Sequence, residues 1–432
     1  MIQNLIKNAK RIHFIGIGGI GVSAIAKICF DLKIQVSGSD LTENQQTLEL
    51  KSKGVHIKIG HHPNNLKNPD LVIYSLAIPK TNPELIAAQE QGIQVFSYPE
   101  SLGELTKGYK LIAVAGTHGK TTTTGMLAKI LVDAGLDPTI IIGTTVDFLK
   151  HENYRLGNSE YFLLEACEYY AGFLNLHPTY TLITNVEHDH FDSYPTEQSY
   201  LDAFQKLTDQ TKKTVILNTD FPLSLELKTN PTKTITFNHE SISPIKLTVP
   251  GIHNQINANG ALLLSQKLNL NPAQTEQSLL EFNGTDRRLQ FIKDNNGQLI
   301  YDDYGHHPTE IKATLQAIKE KHPNKTICLI YQAHQHNRTI ALLDRFIDSF
   351  MEADKIIIPD IYAARDSQLE QQEMTAETFA SKIRTKNPNT VYTGTLKETG
   401  QNLKTLTADS DIVLIMGAGD IYSKLEQFII AK

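Results

Sequence analysis

The segment Gly116-Thr117-His118-Gly119-Lys120-Thr121-Thr122 sets two glycines, a lysine and adjacent threonines directly after the apolar run Leu111-Ile112-Ala113-Val114-Ala115. Between a strand and a helix, such a turn aims backbone N–H groups and a helix N-terminus at an anion, and its glycines admit close approach. Lys120 is expected to reach the β- and γ-phosphates of a bound nucleotide, and the Thr121 hydroxyl to bind Mg²⁺. The spacing departs from G-x-x-x-x-G-K-[ST], because Val114 stands where the first glycine would fall. The competing reading is a chance Gly-Lys-Thr turn without function. Agreement of the strand, loop and helix signals favours phosphate binding.

Two further strands of the same block end in groups suited to a cation. Phe162-Leu163-Leu164 delivers Glu165, and Thr181-Leu182-Ile183-Thr184 leads to Glu187-His188-Asp189-His190. In an open parallel sheet, ligands bind outside the carboxyl ends of the strands. Mg²⁺ prefers oxygen donors, so Thr121 and Glu165 suit it. His190 reads equally as a ligand or as a capping or packed histidine. Glu187, His188 and Asp189 read as loop or supporting residues.

A second glycine motif, Gly16-Ile17-Gly18-Gly19-Ile20-Gly21, follows the strand Arg11-Ile12-His13-Phe14-Ile15, and Asp40 comes about twenty residues on. Alone it is a dinucleotide fingerprint, with the acid on a ribose hydroxyl, and it admits a nicotinamide-dependent dehydrogenase. Such a dehydrogenase leaves the separate phosphate loop unexplained. What both share is a loop that binds a nucleotide's pyrophosphate. Asp40 could also be a plain strand-end turn residue. Other polar groups carry equally bland alternatives. Asn254 and Asn257 could cap a helix, and Arg287-Arg288 could be a solvated turn or an ion pair. His306-His307 could be a polar turn ahead of a helix starting near Pro308.

The elements that must hold these groups follow one pattern: short apolar strand, glycine or polar turn, amphipathic helix. That alternation predicts parallel sheets with helices on both faces. With 432 residues and about 150 per domain, three domains are expected. The boundaries fall at polar stretches, giving 1–107, 108–294 and 295–432. The fold class expected is α/β: a Rossmann-like N-terminal domain, a central P-loop-type ATPase domain with a mostly parallel sheet, and a Rossmann-like α/β C-terminal domain. A hydrophobic fraction of 40% and a net charge of −6 without charge runs fit a globular protein and argue against a nucleic-acid footprint. No apolar run approaches the roughly 18 residues that span a bilayer, and Cys29, Cys167 and Cys328 lack metal-ligand spacing. A cytoplasmic protein with reduced, mostly buried cysteines is expected.

Taken together and in order, these motifs resemble the Mur ligases over essentially the whole chain. The resemblance implies an ATP-dependent ligase that adds L-alanine to UDP-N-acetylmuramate through an acyl phosphate, in peptidoglycan precursor synthesis. It implies ATP with Mg²⁺ (or Mn²⁺), no nucleic-acid or membrane partner, and a monomer or weak homodimer. Gly16, Gly18, Gly19, Gly21, Asp40 and Ser75 then correspond to the UDP-sugar site. Gly116, Thr117, His118, Gly119, Lys120, Thr121 and Thr122, with Asn254, Asn257 and Arg287, correspond to the ATP site. Thr121, Glu165 and His190 become metal ligands, with Glu165 and His190 sharing a second Mg²⁺. Tyr304, His306, His334 and Arg338 correspond to the amino-acid pocket. Lys120, His190, His306 and His334 take roles in the reaction, either His306 or His334 as base toward the amine, with closure of the domains over ATP. Gly417-Ala418-Gly419-Asp420 matches the last strand's turn.

Two departures stand out against that resemblance: Gln335 where the family usually has arginine, and Cys167 where an acid usually follows the metal glutamate. Losing a cation at 335 bears on capture of the amino acid's carboxylate, which arginine binds bidentately. The alternatives are the sibling ligase that attaches a whole peptide to the same sugar nucleotide, a NAD-dependent oxidoreductase, and an inactive nucleotide-binding paralogue.

Overall fold

A computed structural model of the chain describes residues 4–364 and 366–430. Three sheets organise it. The first is built from β1 (Arg11–Ile15), β2 (Gln35–Asp40), β3 (His56–Ile59), β4 (Leu71–Tyr74) and β5 (Gln94–Ser97), all parallel, in the order β3-β2-β1-β4-β5. The order reverses between β1 and β4, so a crevice opens at their carboxyl ends, where the first glycine turn begins.

The second sheet holds β6 (Lys110–Ala115), β7 (Thr139–Val146), β8 (Glu152–Arg155), β9 (Tyr161–Glu165), β10 (Tyr180–Ile183), β11 (Thr214–Asn218) and β12 (Thr234–Phe237). Their order is β12-β11-β10-β6-β9-β7-β8, parallel except for the β7–β8 hairpin at one edge. The central strands are buried along nearly their whole length, which is why β6 and β10 read as apolar runs rather than as alternations. The register sets Val114 beside Glu165 and Ala115 beside Ile183. The phosphate loop therefore has the ends of β9 and β10 on either side of it.

The third sheet comprises β13 (Gln290–Asn295), β14 (Gln298–Asp303), β15 (Ile327–Tyr331), β16 (Lys355–Ile358), β17 (Thr390–Tyr392) and β18 (Ile412–Met416), in the order β13-β14-β18-β15-β16-β17. Only β13 runs antiparallel to its neighbour. Apolar side chains from both faces make two cores, one around Phe346, Phe350 and Phe379 and one around Ile415, Ile421 and Leu425. β13 starts ahead of the boundary expected at 295, because its hairpin with β14 extends this sheet.

Two compact units result. One contains Met1–His188, Pro195–Lys246 and Asn257–Glu281; the other contains Asp189–Tyr194, Leu247–Ile256 and Phe282–Lys432. Inside the first unit, the β7–β8 hairpin ties the first two sheets together. Lys27, on the Ile20–Asp31 helix and 2% exposed, puts Nζ 2.6 Å from both Glu49 and Glu152. Asn153 Nδ2 donates to the Ile20 carbonyl at 2.8 Å, and Tyr154 donates to Asp31 at 2.9 Å. Among the described residues, no helix is long and apolar enough to cross a membrane. Cys29 and Cys328 are buried as expected, whereas Cys167 is exposed, and none is in a disulfide.

Candidate functional site

The phosphate loop joins β6 to the Lys120–Asp133 helix, and its backbone is clamped from β10. Gly116 has φ +134°, and a Cβ there would stand 2.1 Å from Thr184 Oγ1, so no side chain fits. Asn185 grips His118 twice: its Oδ1 accepts from the His118 N–H and its Nδ2 donates to the His118 carbonyl, both at 2.9 Å. Thr117 Oγ1 donates to the Glu187 carbonyl at 2.7 Å, and His118 Nε2 lies 2.9 Å from Glu187 Oε2. Gly119, at φ +76°, would meet Asn257 Oδ1 at 2.7 Å through any added Cβ. Asn257 thus borders the loop, and it sits inside the Ile252–Lys267 helix rather than capping it. Asn254, also inside that helix, donates to the Pro250 carbonyl at 2.7 Å.

Lys120 Nζ donates to the carbonyls of Gly116 and Thr117, and lies 2.9 Å from the Glu168 carboxylate. Burial alone would depress the ammonium, but Glu168 outweighs it and holds Lys120 above its usual range, fully charged at neutral pH. Thr121 Oγ1 donates to Glu165 Oε1 at 2.9 Å, while the Gly143 N–H donates to Oε2 at 2.7 Å. A Cβ on Gly143 would lie 2.7 Å from Oε1. Two hard oxygen donors, one in the first turn of the helix and one at the end of β9, form a donor set that fits Mg²⁺. Glu168 and Gly143 escaped sequence reasoning, because each acts through a partner more than twenty residues away. His190 belongs to the second unit and turns the chain there at φ +55°, its carbonyl accepting from Ser193 and Tyr194.

Around the first glycine turn, Gly16 has φ +78° and faces Ser75, 3.0 Å from an added Cβ. Asp40 Oδ2 accepts from the Gly18 N–H at 2.8 Å, so this carboxylate braces the loop itself. Gly19 caps the Ile20–Asp31 helix, and Gly21 lets that helix pass the Tyr98 ring, 2.5 Å from a would-be Cβ. All six expected sugar-nucleotide residues thus gather at the carboxyl ends of β1, β2 and β4.

In the second unit the expected amino-acid residues also converge. Arg338, 2% exposed, sets Nε 2.8 Å from Asp189 Oδ1 and Nη2 3.3 Å from Oδ2, while Nη1 donates to the His334 carbonyl. Burial would raise the Asp189 carboxyl, yet Arg338 holds it well below its usual range. Asp189, expected to be a loop residue, is therefore the anchor of Arg338. His334 stacks on Tyr362 at 5.2 Å, and His306 lies 6.1 Å from His334 and edge-on to Tyr304. Burial pushes His306 down to about 4 and His334 to about 3. At neutral pH both rings are therefore uncharged and can accept as well as donate hydrogen bonds. His307 caps the Pro308–Lys321 helix, and Glu310 completes the capping box.

Arg287, at φ +59°, spends its guanidinium on Asp302 and on the carbonyls of Gly417 and Gly419, with the Tyr304 ring 4.9 Å away. It braces the ends of β14 and β18. Gln335 is 5% exposed and sits at φ +75°, ψ 132°, a conformation that costs a non-glycine residue roughly 1–3 kcal/mol.

Three family profiles match consecutive stretches of the chain: "Mur ligase family, catalytic domain" over residues 11–110, "Mur ligase middle domain" over 114–244, and "Mur ligase, glutamate ligase domain" over 287–419. The UDP-N-acetylmuramate–L-alanine ligase of Clostridium novyi (strain NT) is 38% identical over 462 residues, covering 100% of both chains. Its namesake from Clostridium tetani (strain Massachusetts / E88) is 37% identical, covering 99% of this chain and 100% of its own. The crystal structure of the UDP-N-acetylmuramate-alanine ligase from Thermotoga maritima superposes with a TM-score of 0.81 at 28% identity, over 97% and 98% of the two chains. A murein peptide ligase from Psychrobacter arcticus 273-4, at TM-score 0.72 and 22% identity over 97% and 98%, shares the fold. With both glycine loops and the histidine–arginine cluster covered by those matches, this chain belongs to the Mur ligase family.

Proposed function

We propose that the chain joins the carboxyl group of UDP-N-acetylmuramate to the amino group of L-alanine, with conversion of ATP to ADP and phosphate. The observation that carries the chemistry is the charged Lys120 ammonium within the phosphate loop, beside the Thr121–Glu165 pair. The substrates are supported by full-length relatives bearing that name. A muramate carboxylate oxygen attacks the γ-phosphorus, the bond to ADP breaks, and an acyl phosphate forms. The neutral amine of alanine then attacks the acyl carbon, phosphate departs, and the proton lost by the nitrogen is taken up by the departing phosphate. The first step asks little covalent help of the protein; alignment and charge neutralisation carry it.

Lys120 offsets negative charge on the transferring phosphoryl group. Mg²⁺, held by the Thr121 hydroxyl and the Glu165 carboxylate, would supply further neutralisation. For His190 the role of metal ligand rests on the resemblance alone. The turn formed by Gly16, Gly18, Gly19 and Gly21, with Asp40 and Ser75, would cradle the diphosphate and its sugar. Arg338, already oriented by Asp189, would take the amino acid's carboxylate, with Tyr304, His306 and His334 around the amine. Cytoplasmic location and a monomer or weak homodimer belong to the same proposal. The test is ADP release with UDP-N-acetylmuramate and L-alanine, glycine, L-serine or a tripeptide in turn. Turnover with L-alanine is expected; turnover with the tripeptide only would overturn the choice of amino acid, and none at all the ligase.

A further inference from the structure

The first unit contains a buried polar cluster that the proposed reaction does not use. It centres on Glu84, whose side chain is fully buried in the first turn of the Pro83–Glu90 helix. Its Oε2 receives His13 Nε2 at 3.0 Å and the Ser39 hydroxyl at 2.7 Å. Its Oε1 receives the His62 N–H at 3.0 Å and Asn65 Nδ2 at 2.6 Å. All four partners donate, so an ionised carboxylate satisfies them, and they hold Glu84 down at about 2 although burial works to raise it.

The proton positions follow from that accounting. The Ser39 hydrogen points at Glu84, so Oγ accepts from His61 Nδ1 at 2.9 Å. That fixes the His61 tautomer and leaves its buried Nε2 as a lone pair without a partner among the described residues. His13 carries its hydrogen on Nε2, and its Nδ1 accepts from the Ser37 hydroxyl at 2.9 Å.

Ser39 connects this cluster to the glycine turn. While its hydroxyl faces Glu84, its carbonyl accepts from Gly16 N at 2.8 Å and Ile17 N at 3.0 Å. Its neighbour Asp40 binds Gly18 N through Oδ2 and, through its carbonyl, Gly60 N at 2.8 Å. One anion thereby gathers β1 through His13, β2 through Ser39 and the segment after β3 through His62 and Asn65. We propose that Glu84 is a positioning residue for the sugar-nucleotide site, setting the placement of the Gly16–Gly21 turn and Asp40 without touching the ligand. This rests on the proposed function for the identity of the ligand, and on geometry alone for the role of Glu84.

Glu84→Gln tests it. The amide nitrogen cannot accept, so one pair of donors meets a donor until protons and side chains rearrange. The expected result is a KM for UDP-N-acetylmuramate raised about tenfold or more, with the KM for ATP and kcat at saturation within about threefold of the parent. Ser39→Ala, which keeps the backbone but removes the bridge to His61, is expected to shift the same KM in the same direction. Titration calorimetry with UDP as the probe gives a readout independent of turnover, and both variants are expected to bind it more weakly. An unchanged KM and unchanged UDP affinity, accompanied by a lower Tm alone, would overturn the proposal. So would an equal rise in all substrate KM values. Absence of turnover by the parent with every acceptor, alongside weakened UDP binding in the variants, would sink the ligase while leaving the role of Glu84 standing.

Discussion

Gly143→Ala isolates Glu165, the carboxylate proposed to hold Mg²⁺, from the rest of the fold. Gly143 is not among the residues with positive φ, so alanine meets no backbone penalty there. Its methyl group would lie 2.7 Å from Glu165 Oε1, 2.8 Å from Oε2 and 2.9 Å from Cδ, where ordinary contact begins near 3.4 Å. The carboxylate must retreat by about 0.7 Å, the difference between 3.4 and 2.7 Å. Because Glu165 is only partly buried, water can replace the bonds it loses to Thr121 and Gly143, at about 1 kcal/mol each. Tm should therefore fall by no more than about 8 °C, at roughly 2–4 °C per kcal/mol for a domain of this size. The functional cost is larger: a misplacement approaching 1 Å lowers kcat by roughly 10- to 100-fold. Steady-state ADP release titrated with Mg²⁺ measures both kcat and half-saturation, and a higher Mg²⁺ requirement is expected. Unchanged kcat and Mg²⁺ half-saturation would refute Glu165 as the metal carboxylate.

Lys120→Met should lower kcat by at least about 100-fold and, by leaving the buried Glu168 carboxylate without its ammonium, destabilise the first unit by about 3 kcal/mol in denaturant unfolding. Adding Glu168→Gln should restore stability without restoring activity; restored activity would contradict the role of the ammonium. Asp189→Ala removes the partner of a buried guanidinium, so a loss of about 3 kcal/mol and a raised KM for L-alanine are expected together. Acidification should weaken the second unit: His253 and His306 lie at about 4 when folded against an ordinary 6.5, so the unfolded chain binds more protons between those values. Stability is then full above pH 6.5 and declines as pH falls toward 4. The decline is up to roughly 3 kcal/mol per histidine. His306→Phe should flatten that slope in urea unfolding followed from pH 7 to 4.

Much of the site was legible because it depends on local backbone demands. Gly116, Gly119 and Lys120 sit between an apolar strand and a helix, and the positive φ of both glycines is what such a turn requires. Gly16, Gly18 and Asp40 were legible for the same reason, although Asp40 braces Gly18 where a ribose contact was expected. The β7–β8 hairpin went unread, because Gly143 and its neighbours look like one apolar run with a turn. What it does depends on pairing with β9.

By itself the sequence determined three α/β blocks, two glycine turns between strand and helix and the order of the polar motifs, since each is written in a contiguous stretch of chain. Only the tertiary structure decided which charges face each other. Glu168 on Lys120, Asp189 on Arg338 and Glu84 on Ser39 are pairings of distant residues. It also decided that His306 and His334 are neutral and weakly basic, since burial, rather than residue type, sets their proton affinity. Strand order and register bring such groups together, and no local pattern along the chain encodes a contact whose two halves lie in different elements.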